Sequence, residues 1–313
     1  MKERGIGQAT GKIILIGEHA VVYGKPAIAF PFAGVGVTAK IQADTKSTID
    51  SEYFTGTLNQ LAQASSMKNV YSLVEKLRND LQVPNFALHI ESTIPAERGM
   101  GSSAAVAVAI TRAFFDWQEQ PLTDTLLLDY VNYSEQIAHE NPSGIDAAAT
   151  SGTNPILFKK GHELQDFPLN IDAYLLVADT GIKGKTREAV KAVAHLKIQN
   201  PKAIDEKLMR LGQCTHQAQE AIINNQPDVL GKIMTESHYI LKHLSVSSDL
   251  LDEAVNTAVN NGALGAKLTG GGRGGCLLIL TNTLATAQQI QKQLAKLGIK
   301  KTWLQGLGVY KNA

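Results

Sequence analysis

Apolar and polar positions follow two different textures along this chain. The first 45 residues carry short β-type runs, KIILIG, AIAF and VGVTAK, separated by Gly and Pro, the pattern of a hairpin-rich sheet. Residues 57–81 and 104–118 read as helices, with NFALHIEST (85–93) between them as a strand. In TDTLLLDYVNYSEQIAH (123–139), Leu127, Tyr130, Val131, Ser134 and Ala138 share one helical face, with Thr123 or Asp124 as the cap. Beyond the strand-like AYLLVADTG (173–181) the texture turns helical, over about 203–225, 227–243 and 248–261. GAKLTGGGRGGCLLIL, a helix over 284–297 and a final strand near 302–310 complete the chain. A β-rich front and a helix-rich back predict an α+β protein of two lobes, residues 1–165 and 166–313, with the boundary inside 155–175. With no internal repeat and no long linker, the lobes are expected to share an interface, where small-molecule sites tend to lie.

Composition narrows the function class. A chain of 313 residues buries a sizeable core, and 44% hydrophobic with 19% charged residues is ordinary for a soluble globular protein. The net charge of +1 gives no electrostatic reason to expect nucleic acid or an acidic membrane as partner. The early apolar stretch IILI is too short for a signal-peptide core, and no later run reaches transmembrane length. Cys214 and Cys276 lie far apart and offer neither a disulfide framework nor a CxxC pair, which fits a reducing cytoplasm. His238 and His243 are five apart, a poor spacing for two zinc ligands on one helical face. The expectation is a cytoplasmic protein with small-molecule partners and neither nucleic acid nor membrane.

One stretch, PAERGMGSSAAVAVAI (95–110), sets glycines and two serines before a helix-like apolar run. The unpaired N–H groups and dipole at a helix N-terminus favour an anion, phosphate first among them. The competing reading is that Ser102 or Ser103 simply caps a core helix. Two better-known phosphate motifs fail. Gly270, Gly272 and Gly275 fit GxGxxG but run into the strand-like CLLIL rather than opening a helix. Gly184-Lys185-Thr186 looks like the end of a Walker A loop, yet only two residues separate it from Gly181 where four are required.

Four segments survive: GKIILIGEHAVVYGKPAIA (11–29), PAERGMGSSAA (95–105), ENPSGIDAAA (140–149) and KLTGGGRGGC (267–276). In this order and combination the chain resembles the GHMP small-molecule kinases, whose second motif is a GLGSSAA-type phosphate loop and whose third is a GGGxGG-type loop. Within that family GEHAVVYG (17–24), and Glu135 followed by NPSGID, resemble the branch that acts on mevalonate. The branches acting on galactose, phosphomevalonate and homoserine are the rivals, together with a non-catalytic ATP- and substrate-binding regulator.

The resemblance implies a two-lobed fold, an N-terminal α+β lobe and a ferredoxin-like C-terminal lobe, working as a monomer or homodimer with ATP and Mg2+. It assigns phosphate binding to Gly99, Met100, Gly101, Ser102 and Ser103, and the metal to Ser103 and Glu135. Asp146 is the implied general base for a primary alcohol, with Lys12 beside it to stabilise the developing negative charge. The same pattern places Glu18, His19, Lys185, Thr186 and Gly271 at the acceptor. Without the resemblance, Ser143 and Asp146 have the spacing of a helix capping box, and Lys12 is a solvated strand-end lysine. Two departures stand out. Met100 replaces the family's usual leucine at similar volume. Gly184 falls where the animal enzymes of this branch carry an arginine thought to meet the substrate carboxylate, leaving Lys183, Lys185 or Arg187 for that role.

Overall fold

The computed structural model describes residues 1–95, 98–139 and 144–310. The chain forms two compact units that interleave in sequence. One comprises Met1–Lys12, Pro31–Pro95 and Gly101–Thr153, the other Ile13–Phe30, Ala96–Met100 and Asn154–Ala313. Two strands, β1 (Arg4–Ile16) and β2 (Ala27–Ala43), each contribute to both.

In the first unit β2 pairs with β1 and, antiparallel, with β5 (Phe86–Ser92). β3 (Thr48–Ser51) lies parallel to β5, and β4 (Phe54–Thr57) closes that side. The helices are α1 (Leu58–Leu61), α2 (Lys68–Asp80), α3 (Ser102–Gln118), α4 (Asp124–Ala138) and α5 (Ile145–Ser151). α3 buries eleven of its 17 side chains, so it sits as the unit's central rod. It lies directly on β1, because Gly7 has no side chain: a Cβ there would come within 2.0 Å of the Ala109 carbonyl oxygen.

In the second unit β6 (Ile156–Phe158) pairs with Ala27–Ala29 of β2 and with β7 (Gln165–Asp166). The rest is built on β8 (Tyr174–Asp179), α6 (Thr186–Gln199), α7 (Pro201–Ile223), α8 (Pro227–His243), α9 (Asp249–Asn260), β9 (Gly265–Leu268), β10 (Cys276–Thr281), α10 (Leu284–Lys296) and β11 (Lys301–Gly306). These strands form an antiparallel sheet in the order β11-β8-β10-β9. That order, with helices after the first and third strands, is the split βαβ arrangement of ferredoxin-like folds. Its core joins Leu176 and Ala178 of β8 to Leu208, Leu211, Leu241 and Val255 from the helices.

Several sequence expectations shift in detail. The short runs of the first 45 residues merge into two long strands, and AIAF and VGVTAK share one strand despite Pro31. Pro31 falls between the stretch paired with β6 and the stretch paired with β5, so on that side its missing N–H faces no ladder partner. The helix expected over 57–81 breaks after Leu61 and restarts at Lys68. A helix over Thr186–Gln199 was not expected; only Ala189 and Val193 of it are buried, too narrow a stripe to register as a periodic signal. Thr123 caps α4 by accepting from the Leu126 N–H at 3.2 Å. No helix among the described residues is long and apolar enough to cross a membrane.

Candidate active site

The first unit gathers Lys12, Gly101, Ser102, Ser103, Glu135 and Asp146. The residue that starts α3 is Gly101, in the left-handed region at φ 70°, and neither serine caps the helix. Ser102 and Ser103 are therefore in the first turn, where backbone N–H groups have no partner within the helix. That geometry turns the capping reading into an anion-binding one. Any side chain at residue 101 would meet Lys12: a Cβ there would lie 2.7 Å from Lys12 Cγ and 3.1 Å from Thr150 Cγ2. Met100 is buried, so only its main chain is free for a ligand.

The Lys12 ammonium, on a side chain only 4% exposed, lies 2.9 Å from Asp146 Oδ1. Asp146 stands in the first turn of α5, with its side chain 37% exposed. α5 begins after Gly144 at φ 78° with no side-chain cap; the capping role considered for Ser143 lies outside the described residues, as does the ENPS stretch. The solvated-lysine reading of Lys12 is thereby replaced by a buried cation held against a half-open carboxylate.

Glu135 projects from the packed face of α4 and is 4% exposed. Burial raises its pKa, opposed by a hydrogen bond from Ser103. Its Oε1 is buried with no hydrogen-bond partner among the described residues. Asn69 of α2, which the sequence gave no reason to single out, donates to Ser103 Oγ at 3.2 Å and to Ser134 Oγ at 3.4 Å, locking the hydroxyls beside that carboxylate. A buried carboxylate with an orphaned oxygen next to a hydroxyl is a fit donor set for a hard cation that keeps most of its water. Beside the two serines a pocket of about 490 Å3 is lined by Tyr53, Met67, Asn69, Val106, Ile137 and His139 among others.

The second unit gathers Glu18, His19, Gly99, Met100, Lys185, Thr186 and Gly271. Glu18 is 2% exposed and forms an ion pair with Lys267. His19 adopts φ 60°, rare for a residue with a side chain, and is 6% exposed. Its Nε2 is 3.2 Å from the Gly271 carbonyl oxygen. A carbonyl only accepts, so Nε2 carries a proton. Burial, with smaller effects from Lys267 and Arg273, pushes its pKa down to about 4, so the ring is neutral and Nδ1 is a bare acceptor. Nδ1 is buried without a partner among the described residues.

Thr186 packs on Gly271 so closely that a Cβ there would fall 1.9 Å from the threonine Oγ1. The Lys185 N–H donates to Gly272 O at 3.1 Å, and its exposed ammonium sits 3.5 Å from Glu188. Gly99 also approaches this loop, a Cβ on it falling 3.6 Å from Gly270 Cα. Arg273 is engaged structurally: its Nε donates to Ser245 O at 3.0 Å. Arg98 and Asp179, like Asn69, escaped the sequence reading. Arg98 Nε donates to the buried Asp179 at 2.8 Å and its Nη2 to Gly181 O at 3.1 Å. The available signal was a lone cation directly before Gly99.

Comparison with known proteins places this geometry. Residues 68–153 match the model of the GHMP kinases N terminal domain and residues 218–300 that of the GHMP kinases C terminal region. The chain is 32% identical to a mevalonate kinase of Thermococcus gammatolerans, across 88% of this chain and 89% of that one. It is similar to the crystal structure of mevalonate kinase from methicillin-resistant Staphylococcus aureus, with 35% identity, a TM-score of 0.75 and coverage of 98% and 100%. It also resembles L. major mevalonate kinase in complex with R-mevalonate, at 27% identity and a TM-score of 0.81 over 97% and 95% of the two chains.

Proposed function

The chain belongs to the GHMP kinase family, and on that premise we propose that it transfers the γ-phosphoryl group of ATP to the primary alcohol of mevalonate, giving 5-phosphomevalonate. The observation that carries the chemistry is the Lys12–Asp146 pair at 2.9 Å, in the same unit as the open N-terminus of α3. The choice of acceptor rests on relatives that are named mevalonate kinases, one of them titled in complex with R-mevalonate.

Asp146 takes the hydroxyl proton as the alcohol oxygen attacks the γ-phosphorus, and Lys12 stabilises the negative charge developing on that oxygen. Backbone N–H groups from Gly99 to Ser103 hold the phosphates. The pocket beside Ser102 and Ser103 takes the nucleoside. Ser103 and Glu135 would hold Mg2+, which would satisfy the orphaned Glu135 oxygen. When bound, that cation neutralises charge on the phosphate oxygens.

Glu18, His19, Lys185, Thr186 and Gly271 bind mevalonate. His19 Nδ1 accepts from a hydroxyl of the acceptor, and a basic side chain of the 183–187 stretch meets its carboxylate. The protein works in the cytoplasm as a monomer or homodimer.

ADP release with ATP and Mg2+, measured in parallel on mevalonate, phosphomevalonate, galactose and homoserine, tests the reading. Turnover on mevalonate alone is expected. Turnover on another acceptor keeps the family and overturns the substrate; ATP binding with no turnover on any acceptor makes the chain a sensor.

A further inference from the structure

The groups assigned to the acceptor stand on two irregular segments, the turn Gly17–Ala20 and the loop Thr269–Gly271, both in the second unit. Three links tie these segments to each other and to the strands beside them. Thr269 Oγ1 donates to Ile14 O at 2.7 Å, His19 Nε2 donates to Gly271 O, and Lys267 donates to Glu18. The third is the unusual one. Lys267 is fully buried in β9, and besides Glu18 its ammonium donates to Leu268 O at 2.6 Å. Burial lowers its pKa and the Glu18 carboxylate opposes that.

Stripping water from two ions costs several kcal/mol, and apolar residues of similar volume often stabilise a fold as well or better. Stability therefore gives no reason for this pair. Orientation does: an ammonium with three donors, aimed at the Glu18 carboxylate and the Leu268 carbonyl, fixes the turn against the end of β9 in a single arrangement, which apolar contact does not. The strand bearing Lys267 is itself held from the next residue. The Leu268 N–H donates to His238 Nδ1 at 3.3 Å, and Nε2 of this buried histidine donates to Asp252, 3.1 Å away. Asp252 is anchored in turn by Ser247 at 2.6 Å and Lys242 at 2.9 Å. Lys267 thus acts from a firmly held strand on the turn residue Glu18, whose neighbour His19 sits in a strained backbone conformation.

We propose that Lys267 is a positioning residue for the acceptor site: by gripping Glu18 it holds the Gly17–Ala20 turn so that His19 presents its bare Nδ1 to a substrate hydroxyl. This rests on the acceptor reading of Glu18 and His19 given above.

The test compares wild type, Lys267→Met, Glu18→Gln and the double variant of the full chain. Lys267→Met is expected to lower kcat/KM for mevalonate roughly 10- to 100-fold, the cost of a small misplacement, with KM for ATP unchanged. The double variant carries no unpaired buried charge, so it folds even where Lys267→Met alone does not. Because Lys267 works through Glu18, the double variant should match Glu18→Gln alone. A double variant clearly worse than Glu18→Gln, or a folded Lys267→Met enzyme with wild-type kcat/KM for mevalonate, overturns the proposal.

Nitrogen-15 histidine NMR supplies a readout independent of turnover. Wild type should show His19 as the Nε2–H form with an unprotonated Nδ1, and the variants a mixture of forms; an unchanged His19 signal in the folded variants also overturns it. A wild-type chain that turns over no mevalonate defeats the substrate reading, while the NMR comparison still decides the role of Lys267.

Discussion

Asp146→Asn is expected to lower kcat for mevalonate roughly 10^3-fold, within the range for loss of a positioned general base. Asparagine keeps the size of the side chain and cannot take the alcohol's proton. The fold should tolerate the change: an acid in the first turn of a helix contributes about 0.3–1 kcal/mol when exposed, and this side chain is 37% exposed. Calorimetric titration should therefore find ATP binding intact while turnover collapses. Near-normal kcat would reduce Asp146 to an acid that complements the α5 dipole.

The second large effect belongs to Lys12. Replacement by methionine keeps length and an apolar stem in a site where the lysine is 4% exposed, but removes the charge. Losing one preorganised charge from a developing oxyanion costs about 10^2- to 10^3-fold in kcat, and Lys12→Met is expected to fall in that range. Since the two side chains act on one oxygen, their effects should not multiply: the double variant Lys12→Met/Asp146→Asn should be little slower than Asp146→Asn alone. Steady-state kinetics on the four proteins checks this. A kcat for Lys12→Met close to wild type would mean that the lysine only neutralises Asp146 in the resting protein.

These two residues also mark how far the sequence could be read. The α+β class followed from periodicity: the buried faces of α4 and α8 and the apolar run of α3 are visible as patterns, and the flanking Gly and Pro mark their ends. What escaped was set by tertiary contact. α6 presents only Ala189 and Val193 to the core, and β2 runs through Pro31 where its partner on one side passes from β6 to β5. The glycine-rich loop before α3 reads in sequence as a candidate anion site, and its rival, serine capping, was removed only by seeing Gly101 occupy the cap at φ 70°. Lys12 gave no signal of its own, since a strand-end lysine is usually solvated; only the motif resemblance pointed to it. Asp179, Asn69 and Lys267 carry no local pattern at all, and Arg98 only that of a lone cation before Gly99. Each matters through a partner far away in sequence, Lys267 through Glu18 and Asn69 through Ser103 and Ser134.

The most direct test of the central claim follows the phosphorus itself. Wild-type protein is incubated with ATP, Mg2+ and mevalonate carrying carbon-13 at the primary alcohol carbon, and the products are followed by phosphorus and carbon NMR. The account predicts ADP and, in equal amount, one phosphate monoester whose phosphorus couples to the labelled carbon. ADP accompanied by inorganic phosphate, or an ester whose phosphorus shows no coupling to that carbon, would contradict it.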